Sequence, residues 1–269
     1  MRITFIGGGI MAEAIINGVL DKHLTTPVDI AVVELLETRR AYLARQYNVE
    51  TALDVQSITS GTGDIVILAV KPQDLPKAMA TIKGTLTSTQ VVLSIVAGVR
   101  IATIMSGLTH EAVIRVMPNT PAQIGYAASV WTASPTVMSE RLEEARNLIQ
   151  AIGEEVYVSD EKYVDMATGL SGSGPAYVFM FIESLIDAGV HVGLTRNIAA
   201  KLAVQTVLGS AQLVRTSGLH PAELRNMVTS PGGTTAEGTL VLEGGGFRTN
   251  IIEAATAAYE KALLLGEEE

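Results

Sequence analysis

The chain has 269 residues, 48% of them hydrophobic, a positive mean hydropathy and a formal net charge of −9 at pH 7. A chain of this size buries a large core, and its length favours two domains or one large domain. The acidic balance argues against a general nucleic-acid binder, because clustered lysine and arginine hold phosphate backbones. With no cysteine and four scattered histidines, disulfides and thiol nucleophiles are excluded and no protein metal site is expected.

The amino-terminal region gives the expected location of the protein. No apolar run approaches the roughly 18 residues that span a bilayer, so no membrane partner is predicted. The chain opens on the strand-like run Ile3-Thr4-Phe5-Ile6, without the basic region and apolar core of a signal peptide. A cytoplasmic protein is therefore expected.

The first half of the chain alternates strand-like and helix-like segments. The predicted strands cover residues 2–6, 30–33, 65–69, 91–95 and 112–116, with shorter ones at 129–132 and 156–158. Nearly continuous Val/Ile strands between helical connections indicate a parallel sheet that is covered on both faces. The sequence therefore predicts an α/β fold that begins with a parallel sheet covered by helices on both faces.

A glycine-rich motif follows the first predicted strand and opens a helix. It reads Gly7-Gly8-Gly9-Ile10-Met11-Ala12 and fits G-x-G-x-x-A. Glycine lets the backbone approach a pyrophosphate at the helix N-terminus, and Ala12 lets the helix lie close to the strand. Because the strand and the helix are both predicted, dinucleotide binding by residues 7–11 is favoured over a purely structural turn.

The end of the second predicted strand bears on the choice of cofactor. Glu34 lies there, 27 residues after Gly7, and can accept a hydrogen bond from a ribose 2′-hydroxyl, which would favour NAD. Arg39 and Arg40 follow closely and can pair with a 2′-phosphate, although they fit equally well as solvated charges on a helix. The cofactor is therefore expected to be NADP or NAD, with the preference open.

Other candidate cofactor contacts follow the later strands, because ligands of open α/β sheets bind at the carboxyl ends of the strands. These segments are Val70-Lys71-Pro72-Gln73, Ala97-Gly98 and Met117-Pro118-Asn119-Thr120-Pro121. Lys71 is either a contact to cofactor phosphate or ribose, or a surface lysine. Asn119, held between two prolines, is predicted to position the nicotinamide, although the same residues suit any sharp turn.

From residue 161 the periodicity is helical, so we predict a dinucleotide-binding domain over 1–160 and a helical domain over 161–269. A helix over 161–170 is followed by the break Ser171-Gly172-Ser173-Gly174, which is either a joint or a second loop that approaches ligand. Pro175 then begins a long helix. The helix after Thr195 is apolar on nearly every face, so a second subunit is expected to cover part of it.

Late in the chain, Ser230-Pro231-Gly232-Gly233-Thr234-Thr235 predicts a tight turn that opens a helix over 236–243. Pro231 fixes φ, and glycine at 232 and 233 allows positive φ. The amides of residues 233–235 are therefore expected to point outward together at the positive end of the helix. This arrangement favours a carboxylate site, and a capped helix start is the alternative.

In order along the chain, these motifs resemble the pyrroline-5-carboxylate reductase family. The residues that carry the resemblance are Gly7-Gly8-Gly9, Ala69-Val70-Lys71-Pro72-Gln73, Arg115-Val116-Met117-Pro118-Asn119-Thr120-Pro121-Ala122, Gly169-Leu170-Ser171-Gly172-Ser173-Gly174-Pro175-Ala176-Tyr177 and the six residues 230–235. The resemblance covers essentially the full length. The Ser-Pro-Gly-Gly-Thr-Thr element is the signature that distinguishes this family.

The resemblance implies a Rossmann N-terminal domain, an all-helical C-terminal domain that dimerises by interleaving with its partner, and often a ring of dimers. It also implies reduction of 1-pyrroline-5-carboxylate to L-proline, the last step of proline synthesis, by hydride from NADPH or NADH. The substrate contacts carried over are Ser230, Gly232, Gly233, Thr234 and Thr235, together with Ser173 in the predicted break. The threonine that matches Thr235 lies near the imine nitrogen in the family.

Two positions depart from the family pattern. Relatives often place an Asn for the cofactor ribose before the fourth strand, where this chain has Asp54 and Gln56, and Gln56 is kept as a candidate contact. At Glu34 many relatives carry small or polar residues suited to NADPH. The family's preference for NADPH therefore does not transfer directly to this chain.

An imine accepts hydride more readily when its nitrogen is protonated or hydrogen-bonded, so the reaction needs a nearby donor. The Thr235 hydroxyl fits that need without histidine, cysteine or metal. A β-hydroxyacid dehydrogenase would instead use a helical-domain lysine, but Lys162, Lys201 and Lys261 lie in no glycine-rich helical motif of that kind. A cofactor-binding regulator without turnover is the alternative from another class.

Overall fold

The computed structural model describes residues 1–58 and 63–267, so the last two residues of the predicted second domain lie outside the described residues. By compactness the chain forms two units. The first comprises Met1–Ser173 with Ala257–Glu269, and the second comprises Gly174–Thr256. The α/β class with an all-helical C-terminal region is confirmed.

The first unit is built on one eight-stranded sheet. Its strands are β1 (Ile3–Ile6), β2 (Ile30–Val33), β3 (Glu50–Ala52), β4 (Ile65–Leu68), β5 (Val91–Ser94), β6 (Val113–Met117), β7 (Ala127–Ala133) and β8 (Gly153–Tyr157). Their order is β3-β2-β1-β4-β5-β6-β7-β8, with β1 between β2 and β4. Every residue of β1, β2, β4 and β5 is buried, as expected for parallel strands covered on both faces.

Two features of the sheet differ from the sequence prediction. Strand β7 runs antiparallel to β6, because the connection over 118–126 is shorter than the dozen or so residues that a parallel crossover needs. The short edge strand β3 was missed, since its three residues are mostly half-buried and carry no apolar run. The remaining strand pairs are parallel, which confirms the main prediction.

Helices cover both faces of the sheet. The first unit contains α1 (Ile10–Asp21), α2 (Glu37–Tyr47), α3 (Leu75–Ile82), α4 (Ile101–Leu108), α5 (Ser139–Gln150) and α6 (Lys162–Ala167), followed by a π-helical turn, Thr168–Gly172. Alternate strand residues point to opposite faces, so the core has two parts. Phe5 and Ile67 pack with α1 and α5, whereas Val66 and Leu68 pack with α3 and α4.

The second unit is entirely helical. It contains α7 (Gly174–His191), α8 (Arg196–Ser217), α9 (Pro221–Met227), α10 (Thr234–Gly244) and most of α11 (Phe247–Glu267). Helix α9 was not predicted from the sequence. Gly193, with φ +106°, lies in the turn that follows α7. Among the described residues, no helix is both long and apolar enough to cross a membrane.

Large apolar side chains of the second unit remain exposed in the single chain. Exposed fractions reach 61% for Phe179 and 74% for Val241, and Leu202 and Leu208 are also exposed. Contact with another chain would remove these apolar side chains from water. The exposure agrees with the expectation that another subunit covers part of α8.

The compact division falls later than the predicted boundary at residues 160 and 161. Arg115, at the centre of buried β6, donates from Nη1 to Glu161 at 2.8 Å and pairs through Nη2 with Asp165. Glu161 also accepts the amide of Ile101 at 2.8 Å. These contacts hold α6 to the sheet, so α6 belongs to the first compact unit, while the boundary of the functional domains stays a prediction.

Candidate functional site

The glycine turn, residues 7–9, connects β1 to α1. Gly7 has φ +101°, and a Cβ there would lie 2.5 Å from the carbonyl oxygen of Ala69 on the neighbouring chain segment. Gly9 is the N-cap of α1 without a side-chain cap, and a Cβ on it would meet no described residue within 4 Å. The first-turn amides of Ile10 and Met11 have no acceptor within the helix and lie beside this open space. The turn therefore fits a pyrophosphate.

Glu34 is fixed against the glycine turn at the carboxyl end of β2. Its Oε2 accepts the amide of Gly8 at 2.9 Å, and its Oε1 accepts the amide of Leu36 at 2.9 Å. Both carboxylate oxygens are therefore oriented by the backbone. Each oxygen keeps a further lone pair that can accept a hydrogen bond from a ligand.

Arg39 also braces the glycine turn. Its Nε donates to the carbonyl of Gly8 at 2.6 Å, and its Nη2 donates to the carbonyl of Gly9 at 3.2 Å and to the Glu13 carboxylate. Its guanidinium lies 5.0 Å from the ring centre of Tyr42. These bonds exclude one of the two interpretations of Arg39 that the sequence left open, namely a solvated charge on the helix surface.

Glu13 in α1 joins this cluster and was missed by the sequence analysis. Tyr42 and Tyr47 donate their hydroxyls to its Oε1 at 2.8 and 2.9 Å. Burial raises the pKa of Glu13, but the hydrogen bonds from Tyr42, Arg39 and Tyr47 outweigh burial and lower it overall. Burial and the bond to Glu13 raise the pKa of Tyr47 to about 12. These partners lie on two helices far apart in sequence, so no local pattern identifies them.

The ends of β3 and β4 lie at the same edge of the parallel sheet as the end of β1, where the glycine turn begins. Val70 follows β4, with Cγ1 3.0 Å from where a Cβ on Gly7 would stand, and exposed Lys71 precedes the 3-10 turn Pro72–Asp74. Within 1–58 and 63–267, no ion pair holds Lys71, so its ammonium group is available to an anionic ligand. Gln56 is exposed in the 3-10 turn after β3, where Asp54 is used to accept the amide of Ser57 at 2.8 Å.

Gly98 has a structural use that the sequence did not indicate. It is buried with φ +79°, and a Cβ there would lie 2.9 Å from Cβ of Leu265, near the end of α11. A Cβ on Gly266 would likewise lie 2.8 Å from the carbonyl oxygen of Gly98. Gly98 therefore allows the last helix to approach this loop, while Ala97 beside it is half-buried. Cofactor contacts from these two residues stay predictions.

Asn119 joins the loop after β6 to the π-helical turn. Its Nδ2 donates to the Ser171 carbonyl at 2.9 Å, and its Oδ1 accepts the amide of Ala128 at 3.0 Å. The structure thus shows Asn119 bracing the loop, and its predicted contact with nicotinamide is untested. The predicted break is a π-helical turn closed by the bond from the Ser173 amide to the Thr168 carbonyl at 2.8 Å. Turns of this kind are rare in proteins, and those that occur often lie at functional sites.

The Ser-Pro-Gly turn, residues 230–235, lies in the second unit and opens α10. Gly232 has φ +67°, and the amide of Gly233 donates to the Ser230 carbonyl at 3.0 Å, which closes the turn. The expectation that the Gly233 amide points outward is therefore wrong, because that amide is used inside the turn. Gly233 has φ −80°, and a Cβ there would require the Ser230 hydroxyl to rotate away.

The start of α10 leaves polar groups for a ligand. Gly233 is its N-cap without a side-chain cap, so the amides of Thr234 and Thr235 have no acceptor within the helix. Thr234 is exposed and Thr235 is half-buried. In the described part of the chain, the Thr235 hydroxyl makes no hydrogen bond, although its carbonyl accepts from Thr239 at 2.9 Å. A carboxylate and one further acceptor can therefore be bound here.

The predicted site residues thus form separate groups. In the first unit, residues 7–11, 34 and 70–72 lie at the carboxyl ends of adjacent strands β1, β2 and β4. Asn119 is hydrogen-bonded to Ser171 in the π-helical turn, which Ser173 directly follows. The Ser-Pro-Gly turn forms its own group in the second unit. Within the described ranges, His, Asp and Glu side chains nowhere gather in a group of three or more that could hold a metal ion.

Comparisons with known proteins place the chain in a family. The family model for pyrroline-5-carboxylate reductase dimerisation matches residues 161–265, and that for NADP oxidoreductase, coenzyme F420-dependent, matches residues 2–98. Pyrroline-5-carboxylate reductase from Synechocystis sp. is 43% identical over 267 residues, which cover 99% of each protein.

Two solved structures are similar over nearly the whole chain. The pyrroline-5-carboxylate reductase of Coxiella burnetii shares 35% identity with a TM-score of 0.89 and covers 98% of each chain. The pyrroline carboxylate reductase of Plasmodium falciparum, solved with NADP bound, shares 30% identity with a TM-score of 0.89 and covers 99% of this chain and 98% of its own. This chain therefore belongs to the pyrroline-5-carboxylate reductase family.

Proposed function

We propose that the chain reduces 1-pyrroline-5-carboxylate to L-proline with NADH or NADPH, the final step of proline synthesis. The observation that carries the proposal is the uncapped start of α10 at the Ser-Pro-Gly turn, where two amides and the Thr235 hydroxyl are available together. An anionic cyclic imine presents the two matching groups, a carboxylate and a basic nitrogen. The full-length relatives, which are named for this activity, support the assignment.

The first unit holds the cofactor in this proposal. The first-turn amides of Ile10 and Met11 bind the pyrophosphate at the positive end of α1, and Glu34 faces the adenosine ribose. Lys71 provides a cation for a phosphate or a ribose hydroxyl, and Asn119 keeps the loop after β6 in place. When bound, the reduced nicotinamide supplies the hydride that the imine carbon accepts.

The Ser-Pro-Gly turn holds the substrate. The amides of Thr234 and Thr235 bind the carboxylate at the positive end of α10, with the exposed Ser230 hydroxyl as a further donor. The Thr235 hydroxyl donates a hydrogen bond to the nitrogen of the neutral imine, which makes the adjacent carbon a better hydride acceptor. It also passes to that nitrogen the proton that balances hydride addition and regains one from water, whereas a protonated substrate already carries this proton. Orientation by these groups contributes more than proton transfer, since the substrate can arrive already protonated.

A lysine-dependent β-hydroxyacid dehydrogenase is disfavoured by the geometry of Lys162. Its Nζ lies 2.9 Å from Oδ2 of Asp160 at an exposed position. The hydrogen bond to Asp160 raises the pKa of Lys162, so less of the neutral amine that a general base requires is present at neutral pH. No comparable argument weakens Thr235.

The dimerisation domain indicates a homodimer, and we propose that its C-terminal helices interleave with those of the partner, with a ring of dimers as a further possible assembly. Exposed apolar residues of α8 and α10, such as Leu202 and Val241, support this arrangement. We expect a dimer or a multiple of it in light scattering at micromolar concentration. A monodisperse monomer would contradict the proposal.

The experiment that tests the activity follows NADH and NADPH oxidation in parallel while pyrroline-5-carboxylate is added. We expect oxidation that depends on this substrate and yields proline. As a control, 1-pyrroline, which lacks the carboxylate, should show kcat/KM about 10- to 100-fold lower, because a charge-assisted anchor is lost. Binding of reduced cofactor without turnover would instead favour the alternative function, a cofactor-binding regulator without catalytic activity.

A further inference from the structure

The adenosine end of the cofactor site carries a fixed negative charge where the two nicotinamide cofactors differ. NADPH has a phosphate on the adenosine 2′ position, whereas NADH has a hydroxyl there. Glu34 ends β2, the strand beside β1, and its Oε2 is held at 2.9 Å from the Gly8 amide. Its Oε1 is held by the Leu36 amide, so the carboxylate cannot swing away without losing two hydrogen bonds.

The two arginines that follow Glu34, Arg39 and Arg40, already donate hydrogen bonds to protein groups. Arg39 uses Nε on the Gly8 carbonyl and Nη2 on the Gly9 carbonyl and Glu13, so one of the two edges that bind phosphate with parallel bonds is occupied. Arg40 uses Nη1 on the carbonyls of Glu34 and Leu35, at 2.7 and 2.8 Å. Both side chains are therefore tied to backbone of the same loops.

Glu13 keeps Arg39 in this position. The carboxylate is half-buried, and besides Arg39 it accepts only from the two tyrosine hydroxyls among the contacts in the described residues. If Arg39 turned towards a 2′-phosphate, Glu13 would lose its only cationic partner there, and the two carbonyls of the glycine turn would lose a donor. The cluster therefore opposes the rearrangement that NADPH would require.

We propose that this chain selects NADH over NADPH, with Glu34 as the residue that determines the choice and the Glu13–Arg39 pair in support. The free lone pairs of Glu34 accept the ribose hydroxyls of NADH. The same carboxylate repels a 2′-phosphate, which carries nearly two negative charges at neutral pH. This proposal rests on the proposed function only in taking a nicotinamide dinucleotide as the cofactor. It implies that the NADP bound in the Plasmodium falciparum structure does not indicate the preference of this chain.

The test measures binding directly, at constant ionic strength, by isothermal titration of the wild-type protein with NADH and with NADPH. We expect NADH to bind about tenfold or more tightly, in line with the cost of like-charge contacts. The fragment pair 5′-AMP and adenosine 2′,5′-bisphosphate isolates the same difference without nicotinamide. Equal affinities, or tighter binding of the 2′-phosphorylated compounds, would overturn the proposal.

Glu34→Gln removes the charge and keeps the size of the side chain. We expect its preference for NADH to shrink by about tenfold, mainly through tighter NADPH binding. The matched control is Glu37→Gln, which makes the same change of net charge at an exposed position in α2 and should leave the ratio unchanged. A Glu34→Gln ratio equal to that of wild type would show that Glu34 does not make the choice.

The outcomes separate this proposal from the proposed function. A chain that prefers NADH in binding but fails to reduce pyrroline-5-carboxylate contradicts the activity and leaves the selectivity intact. A chain that reduces pyrroline-5-carboxylate and binds both cofactors equally contradicts the selectivity alone. The wild-type comparison decides even if Glu34→Gln does not fold.

Discussion

Replacement of Thr235 by alanine is expected to lower kcat by about ten- to a few hundred-fold, with the fold intact. Positioned proton donors contribute roughly 10² to 10⁴ to a rate, and a substrate that is already protonated reduces that contribution. The Thr235 hydroxyl makes no hydrogen bond in the described part of the chain, so its removal leaves no protein group unpaired. The measurement is steady-state kinetics with saturating cofactor, together with thermal unfolding to check the fold.

Thr235→Ser and Thr239→Ala are the controls for this prediction. Serine keeps the hydroxyl, so kcat should stay within a few-fold of wild type. Thr239 lies one turn further along α10, and among the described residues its hydroxyl bonds only to backbone carbonyls of residues 235 and 236. Thr239→Ala therefore tests a hydroxyl without the proposed role. An unchanged kcat in Thr235→Ala would remove Thr235 from the chemistry.

Replacement of Arg115 by methionine is expected to cost about 3–5 kcal/mol of unfolding free energy, because it leaves buried charge without a partner. The Arg115 side chain is 2% exposed and its partner Asp165 is 7% exposed, whereas Glu161 is 27% exposed. The loss would also release α6 from β6. Denaturant unfolding monitored by the fluorescence of Trp131, which lies on the neighbouring strand β7, measures the effect.

The contrast for Arg115 is an exposed ion pair in the second unit. Arg196 and Asp187 are 67% and 59% exposed, so Arg196→Met should cost about 0–1 kcal/mol. The double variant Arg115→Met/Asp165→Leu replaces the more buried charge pair by apolar groups and should recover part of the loss. If Arg115→Met were as mild as Arg196→Met, the buried cluster would not be what holds α6 to the sheet.

The sequence was informative where structure depends on neighbouring residues. The glycine turn, the strand ends and the start of α10 follow from local periodicity and turn chemistry, and they lie close to where they were expected. The sequence also indicated Pro175 at the start of a long helix, which begins at Gly174. These features need no knowledge of distant contacts.

Contacts between distant residues could not be predicted in the same way. Arg39 and Glu13 lie 26 positions apart, and only the packing of α2 against α1 shows that they form a pair. The cofactor contact of Gly98 stays a prediction, but the sequence did not indicate that its lack of a side chain also accommodates Leu265, far along the chain. The amide of Gly233 also resembled a ligand donor until the bond to Ser230 was seen. In each case a distant or competing protein partner uses the group.

The central claim is hydride transfer from the cofactor to the imine carbon, and isotope transfer tests it most directly. Pyrroline-5-carboxylate would be reduced with cofactor deuterated at nicotinamide C4 on the transferred face, and the proline analysed by mass spectrometry and NMR. We predict a single deuterium at C5 of L-proline, the former imine carbon. Proline without deuterium at C5, or no proline despite bound cofactor, would contradict the account.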